Sequence, residues 1–400
     1  MIVAFTTPAM GHVKPMLPLL RGLVEDGQEV VCFGHTKFET IVRATGARFE
    51  AYPEIQYDID APDFNLIKMA ADLIDASETI YPALLGKVEA LAPRLIVQDF
   101  MALWGSRIGT ELSIPRVHTI PTLVFNRETQ RQMRREDGLL KLARDVSKGM
   151  PALIRSKFRS KFAVSVQEAF GLERSWRKLA PPVCELVFCI EALQVGNPRG
   201  DVPRHYIGPS YSQSEAPVSP VERKHALITF GTLSNNETER FRAAIEGAFL
   251  AGYSVIAQCG GKVDIQHLER VGQSLENQYV GQTATIVESV PDLEVLIAEA
   301  AVVIHHAGMA TTWETVRHSK PALFIPTIAD QKVLASQLEA KGFGVRLAAG
   351  NECNAQVIAK ALKSVETRSY SWGQIQQWLL QAGGEAAGVK IINDVLEQRP

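Results

Sequence analysis

Short runs of β-branched and other apolar residues alternate with longer helix-patterned stretches through both halves of this chain, and a Pro- and Ser-rich break separates the halves. Such brief apolar runs suit strands buried on both faces, so the alternation calls for βα units with parallel sheets covered by helices. In the first half, strands are read at Ile2 to Thr7, Glu29 to Gly34, Arg94 to Asp99 and Arg116 to Thr119, with helices at Pro15 to Asp26, Lys37 to Thr45 and Ala102 to Leu112. In the second half, strands are read at Ala226 to Phe230, Tyr253 to Gln258, Thr285 to Val287, Ala301 to Ile304 and Ala322 to Pro326. A chain of 400 residues exceeds one ordinary core and fits two domains of roughly 150 to 200 residues each. The break, PRHYIGPSYSQSEAPVSPVERKH, lacks apolar periodicity and places a linker at 208–224. The expected organisation is therefore a domain over 1–207, a second over 225–383, and a C-terminal helix over 384–400 that packs back on the first domain. The fold class is α/β: two doubly wound, Rossmann-like domains facing a cleft, with ligand at the strand ends.

Composition narrows the function classes. With 46% hydrophobic residues, 22% charged residues and a net charge of −2, the chain reads as an ordinary folded protein with no general pull toward nucleic acid. The exception is local: residues 127–161 carry eleven Lys or Arg against four Asp or Glu, with an imperfect apolar stripe at Leu139, Leu140, Leu142, Val146 and Ile154. That run is either a solvated helix face or a flap over an anionic or membrane-held acceptor, and it lacks the interleaved aromatics of a nucleic-acid surface. Five scattered cysteines, Cys32, Cys184, Cys189, Cys259 and Cys353, read as buried free thiols of a reducing compartment, and their spacing does not suit a zinc site. The N-terminus, MIVAFTTPAMGHVKP, lacks the signals of a secretory leader, and no apolar run reaches the roughly 20 residues of a membrane span. A cytoplasmic location is expected.

Residues 305–331, HHAGMATTWETVRHSKPALFIPTIADQ, carry the most chemistry. A strand runs into His306-Ala307-Gly308 and then a helix opening at Ala310, Thr311 and Thr312. Small residues let a backbone approach a ligand, and the unpaired amides at a helix start attract negative charge. A diphosphate suits that turn, with donors from Thr311, Thr312 and His306 and an acceptor, Glu314, one turn further on. The alternative is a buried βα turn whose Gly serves packing alone.

A second candidate lies near the start. Pro15 suits a first helical turn, which leaves His12 on a loop at the carboxyl edge of the first sheet. It is either a packed or solvated side chain or a general base matched to neutral pH. Asp99 closes the strand beginning at Arg94, and is either an N-cap for the helix near Ala102 or the carboxylate that orients the imidazole.

Together these segments resemble family 1 glycosyltransferases, in the version found in bacterial enzymes that glycosylate natural products. The resemblance covers nearly the whole chain and implies the GT-B architecture. It places His306, Ala307, Gly308, Ala310 and Thr311 around the donor diphosphate, Glu314 on the ribose, and Asp330 and Gln331 on hydroxyls of the donor sugar. Many relatives have Gly where Ala310 stands. Phe230-Gly231-Thr232 resembles the family's donor loop, and Val290 belongs to a segment that shapes the base pocket, although Asp292 stands where relatives carry Gln. Gly11-His12 with Pro15 resembles the GHxxP segment, whose His is the base, with Asp99 as its partner. Met10, Phe64 and Phe125 are the implied acceptor contacts, in a half that also holds the apolar stretch Tyr52 to Tyr81. The expected activity is inverting, metal-independent transfer of a hexose from a UDP- or dTDP-sugar to a hydroxyl of a small, hydrophobic natural product, with no cofactor beyond that nucleotide sugar. A sugar-nucleotide 2-epimerase on the same fold and a non-catalytic nucleotide-sugar-binding helper are the rival readings.

Overall fold

The computed structural model describes residues 1–54, 65–159, 179–197, 202–210, 224–231, 238–347 and 353–398. The chain divides into two compact units, unit 1 comprising Met1–Ser212 with Trp378–Pro400 and unit 2 comprising Gln213–Gln377.

Unit 1 holds a seven-stranded sheet in the order β3-β2-β1-β4-β5-β6-β7. Its strands are β1 (Ile2–Phe5), β2 (Val30–Gly34), β3 (Arg48–Ala51), β4 (Leu95–Asp99), β5 (Arg116–Ile120), β6 (Cys184–Val187) and β7 (Arg204–Tyr206). All pairings are parallel. The central strands are buried along their whole length, which is why they read as continuous apolar runs instead of an alternation. Helix α1 (Met10–Glu25) returns from β1, burying Val13, Met16, Leu19, Leu20 and Leu23 at helical spacing. Next come α2 (Glu39–Arg43), α3 (Leu66–Leu91), α4 (Leu103–Glu111) and α5 (Arg127–Arg159).

Unit 2 holds a six-stranded parallel sheet in the order β10-β9-β8-β11-β12-β13. Its strands are β8 (His225–Thr229), β9 (Ser254–Gln258), β10 (Ala284–Val287), β11 (Val302–His305), β12 (Ala322–Phe324) and β13 (Val345–Arg346). Helices α6 (Thr238–Leu250), α7 (Ile265–Gln278), α8 (Leu293–Glu299), α9 (Met309–Arg317), α10 (Ala329–Ala340) and α11 (Ala355–Thr367) connect and cover them.

Two further helices, α12 (Trp372–Ala382) and α13 (Gly384–Glu397), end the chain, and the division between units falls inside α12. Gly383 and Gly384 both have positive φ, 79° and 57°, which makes the sharp turn between these helices possible without a Cβ penalty. The Gly384 amide donates to the Ile207 carbonyl at 2.8 Å, and Ile392, Val395 and Leu396 join the unit 1 core with Leu19, Leu20 and Leu186.

In each sheet the strand order reverses beside one strand. β1 lies between β2 and β4, and β8 between β9 and β11. Ligands of doubly wound folds bind outside the carboxyl ends of the strands at this reversal. In unit 1 those ends lead to Thr7 and Asp99, and in unit 2 to Gly231 and His306.

Candidate active site

At the reversal in unit 1, the chain leaves β1 through Thr6 and Thr7 and turns at Pro8 into α1. The sequence reading starts this helix at Pro15 and leaves His12 on a loop, but the helix begins five residues earlier, at Met10. The amides of His12 and Val13 both donate to the Ala9 carbonyl at 3.0 Å, so the first turn closes before Pro15, whose missing N–H leaves one later carbonyl without its helical donor. His12 is thus the third residue of a helix. This rigid placement aims its ring at the end of β4: Nδ1 lies 2.8 Å from Asp99 Oδ2. The imidazole stacks on Phe100 with ring centroids 6.0 Å apart, and its side chain is 18% exposed while that of Asp99 is fully buried. An ionised Asp99 accepts from Nδ1–H, which leaves Nε2 to carry the lone pair.

The other carboxylate oxygen, Asp99 Oδ1, accepts from Thr7 Oγ1 at 2.7 Å and from the Met101 amide at 2.9 Å. Asp99 therefore braces the turn after β4 and faces His12 at once. It is not the N-cap of α4; that position is Ala102, which makes no side-chain cap bond.

At the reversal in unit 2, β11 ends at His305 and the chain turns through His306-Ala307-Gly308 into α9. Ala307, not Gly308, takes the left-handed conformation, with φ 62°. Gly308 is required for a different reason: a Cβ there would stand 2.4 Å from His306 Nε2. Gly231, after β8 and with φ 63°, is crowded the same way, its Cβ position 2.5 Å from His306 Cε1. Two glycines from separate loops thus close on one imidazole. Burial, together with the charge of nearby Arg240, lowers the His306 pKa to about 4, so the ring is neutral and has one N–H to donate. His306 Nδ1 and Thr312 Oγ1 are buried and make no hydrogen bond among the described residues. Gly308 caps α9, and the amides of Met309, Ala310 and Thr311 are those of its first turn. Thr311 and Glu314 are buried, and Ala310 is half-buried on the same turns.

Arg240, on α6, is a residue the sequence reading misses. Its guanidinium lies 5.9 Å from the centroid of Phe230, the residue before Gly231, and brings a positive charge to this corner. Helical spacing alone gives no sign that its guanidinium reaches Phe230, just beyond β8. Thr7 is missed for a similar reason, because nothing local shows that β1 pairs with β4.

Asp330 and Gln331 occupy the first turn of α10. Gln331 Oε1 accepts from Thr327 Oγ1 at 2.8 Å and from the Thr327 amide at 3.1 Å, which commits its carbonyl to bracing the turn and makes its NH₂ the donor end. Val290 is half-buried. Asp292, where the resemblance implies Gln, is the N-cap of α8 and accepts the Glu294 amide at 2.9 Å, so its carboxylate is engaged within its own turn. Of the implied acceptor contacts, Met10 is 40% exposed on the first turn of α1 and Phe125 is half-buried. Phe64 and Thr232 lie outside the described residues, as do the side chains of Leu139, Leu140 and Leu142. The stripe read on 127–161 is corrected in part: Val146 and Ile154 are exposed, while Thr129, Met133, Leu153 and Ser156 are buried among the described side chains of α5. Its densest contacts are with α3, whose Ile74 is likewise buried. Of the five thiols, four are buried and Cys353 is half-buried. Among the described residues no helix is long and apolar enough to cross a membrane, and no three His, Cys, Asp or Glu side chains cluster as metal ligands.

A doubly wound pair of units, each with polar side chains at the reversal of its sheet, is the GT-B arrangement, and comparison with known proteins gives the class. Residues 229–373 match the glycosyltransferase family 28 C-terminal domain. Over 396 residues the chain is 26% identical to the NDP-glycosyltransferase YjiC of Bacillus subtilis (strain 168), covering 96% of this chain and 94% of that protein. Among solved structures it resembles the glycosyltransferase of kitacinnamycin, with a TM-score of 0.77 at 18% identity over 100% of this chain and 99% of the other. It also resembles the spinosyn rhamnosyltransferase SpnG complexed with thymidine diphosphate, with a TM-score of 0.63 at 17% identity over 98% and 99%. The chain is a glycosyltransferase of the GT-B fold.

Proposed function

We propose that this enzyme moves a hexose from a UDP- or dTDP-sugar to a hydroxyl of a small, hydrophobic natural product, with inversion at the anomeric carbon and without a metal. The observation that carries the reading is the 2.8 Å contact between His12 Nδ1 and the buried carboxylate of Asp99. In this reaction the acceptor hydroxyl gives its proton to His12 Nε2 as its oxygen bonds to the anomeric carbon. The bond from that carbon to the diphosphate breaks on the opposite face, and the nucleoside diphosphate leaves with the electron pair. A single displacement inverts the centre. Asp99 offsets the positive charge that His12 acquires, which matters because the open amide end of a helix disfavours imidazolium.

On the donor side, the first-turn amides of α9, the N–H of neutral His306 and the charge of Arg240 supply what a divalent ion supplies elsewhere. Glu314 is assigned to the ribose, and Asp330 with the Gln331 NH₂ to the sugar hydroxyls. The thymidine diphosphate held by the similar spinosyn enzyme supports a nucleoside diphosphate donor, and the kitacinnamycin enzyme supports a natural-product acceptor.

The test is a screen of the purified chain against UDP- and dTDP-hexoses and a panel of hydrophobic aglycones, read by mass spectrometry, with product anomers assigned by NMR and parallel arms in chelator. Glycosides of inverted configuration, formed equally well in chelator, are the expected result. Retained configuration, a strict divalent-ion requirement, or change of the donor sugar without any acceptor would each overturn the reading.

A further inference from the structure

We propose that Thr7 is a positioning residue for the base: its hydroxyl holds the Asp99 carboxylate in register with His12, and so keeps the imidazole in the tautomer that accepts a proton at Nε2. This rests on the reading of His12 as the base given above. Thr7 is fully buried just beyond β1 and donates to Asp99 Oδ1 at 2.7 Å. The Met101 amide donates to the same oxygen at 2.9 Å, and His12 faces Oδ2 at 2.8 Å. A carboxylate removed from water keeps its charge only where donors replace the lost hydration. Two of these three donors are structural requirements of the fold or of the mechanism: the amide belongs to the turn after β4, and the imidazole is the base itself. The Thr7 hydroxyl is the third. Valine has the same shape without the donor.

Without the hydroxyl, Asp99 attracts the Nδ1 proton more strongly, the imidazolium form of His12 is favoured, and the protonation that silences the base persists to higher pH. The fixed geometry of the pair also loosens. Other titratable groups on the surrounding elements do not compete for this role. Lys14 on α1 is exposed, while Arg21, Glu25 and Glu385 lie around Gly22 at the far end of that helix. Burial pushes the thiol of Cys32 on β2 up to about 12. It also raises Tyr52, which donates to the Thr6 carbonyl at 2.7 Å, well above the usual tyrosine value. His118 on β5 bonds Ser106, and Arg107 on α4 pairs with Glu78.

The experiment compares kcat against pH and the donor KM for Thr7→Val, Thr7→Ala and Thr7→Ser, with His12→Ala as the control. Thr7→Val and Thr7→Ala are expected to lower kcat at pH 7 on the order of 10-fold, with the acid limb of the kcat profile moved to higher pH and donor KM nearly unchanged. Thr7→Ser, which keeps the hydroxyl, should restore both. Should Thr7→Val fail to fold, the contrast of Thr7→Ala with Thr7→Ser decides the matter. Wild-type kcat and profile in a variant lacking the hydroxyl, or no restoration by serine, would overturn the inference while leaving the base reading intact if His12→Ala is inactive. Wild-type turnover in His12→Ala would instead remove both.

Discussion

Single atoms decide much of this site. His306 is held between Gly231 and Gly308, each of which would place a Cβ within 2.5 Å of its ring. Neither contact can be relieved by a flexible chain end, since the ring itself is the obstacle. Gly308→Ala is therefore expected to displace His306 and weaken nucleoside diphosphate binding by about 10-fold or more, or about 1.4 kcal/mol, with no matching loss of stability in unit 1. Calorimetric titration with UDP and dTDP measures it, and unchanged affinity for both would show that the imidazole position does not matter to the donor. The sequence reads the glycine after the strand and the small-residue turn as places where a ligand comes close. That the close neighbour in the fold is a histidine of the same unit is not legible there, because Gly231 and His306 lie just beyond strands that are adjacent in space and far apart in the chain. The Ala307 conformation was hidden too: a left-handed alanine leaves no mark on composition.

At the scale of elements, strand β11 and the turn after it carry two buried histidines in succession. His305 is fully buried against Phe324, with ring centroids 5.1 Å apart, and neither ring nitrogen has a hydrogen bond among the described residues. Burial first, and the neighbouring His306 second, lower its pKa to about 3. An unfolded histidine titrates near 6.5, so between roughly pH 6.5 and the folded values the unfolded chain binds protons that the folded chain refuses. Stability is then full above that range and falls as pH drops through it. At pH 5 the cost is about 2 kcal/mol for His305 relative to neutral pH. His305→Phe, which cannot be protonated, should reduce by about that amount the loss of unfolding free energy between pH 7.5 and 5. The same acid sensitivity in the variant would contradict the assignment.

Elements were read unevenly, for physical reasons. The buried strands β1, β2, β4, β8 and β11 announce themselves as apolar runs, whereas β3, with two exposed residues of four, and the three-residue β7 do not. The start of α1 was misplaced because Pro15 is the obvious punctuation and the Ala9 carbonyl that accepts the first helical bonds is invisible in sequence. In α5 the charged residues obscure which face is buried, and contact with α3 selects Met133 and Leu153 over Val146 and Ile154.

Across the whole molecule, the two units are built alike and equipped differently. Each has its polar residues where its strand order reverses, a consequence of parallel βα topology that brings loops from neighbouring strands together. Unit 1 carries a carboxylate-backed imidazole; unit 2 carries helix amides, a neutral imidazole and an arginine. The alternation of strands and helices is enough to anticipate two such sheets, and the motifs single out His12, Asp99 and His306, which the fold places just beyond strands at the two reversals. The helix read at 384–400 is α13, and Ile392, Val395 and Leu396 hold it on unit 1 through contacts between the two ends of the chain.

Proton transfer falls to one unit and donor binding to the other in the proposed mechanism, and the most direct test is a paired measurement of turnover and nucleoside diphosphate affinity in His12→Ala and His306→Ala. General-base removal should lower turnover of His12→Ala by about 10² to 10⁴-fold with affinity nearly unchanged, while His306→Ala loses affinity as well as rate. Wild-type turnover in His12→Ala, or loss of nucleotide binding from that substitution alone, would contradict the division of labour on which the proposed mechanism stands.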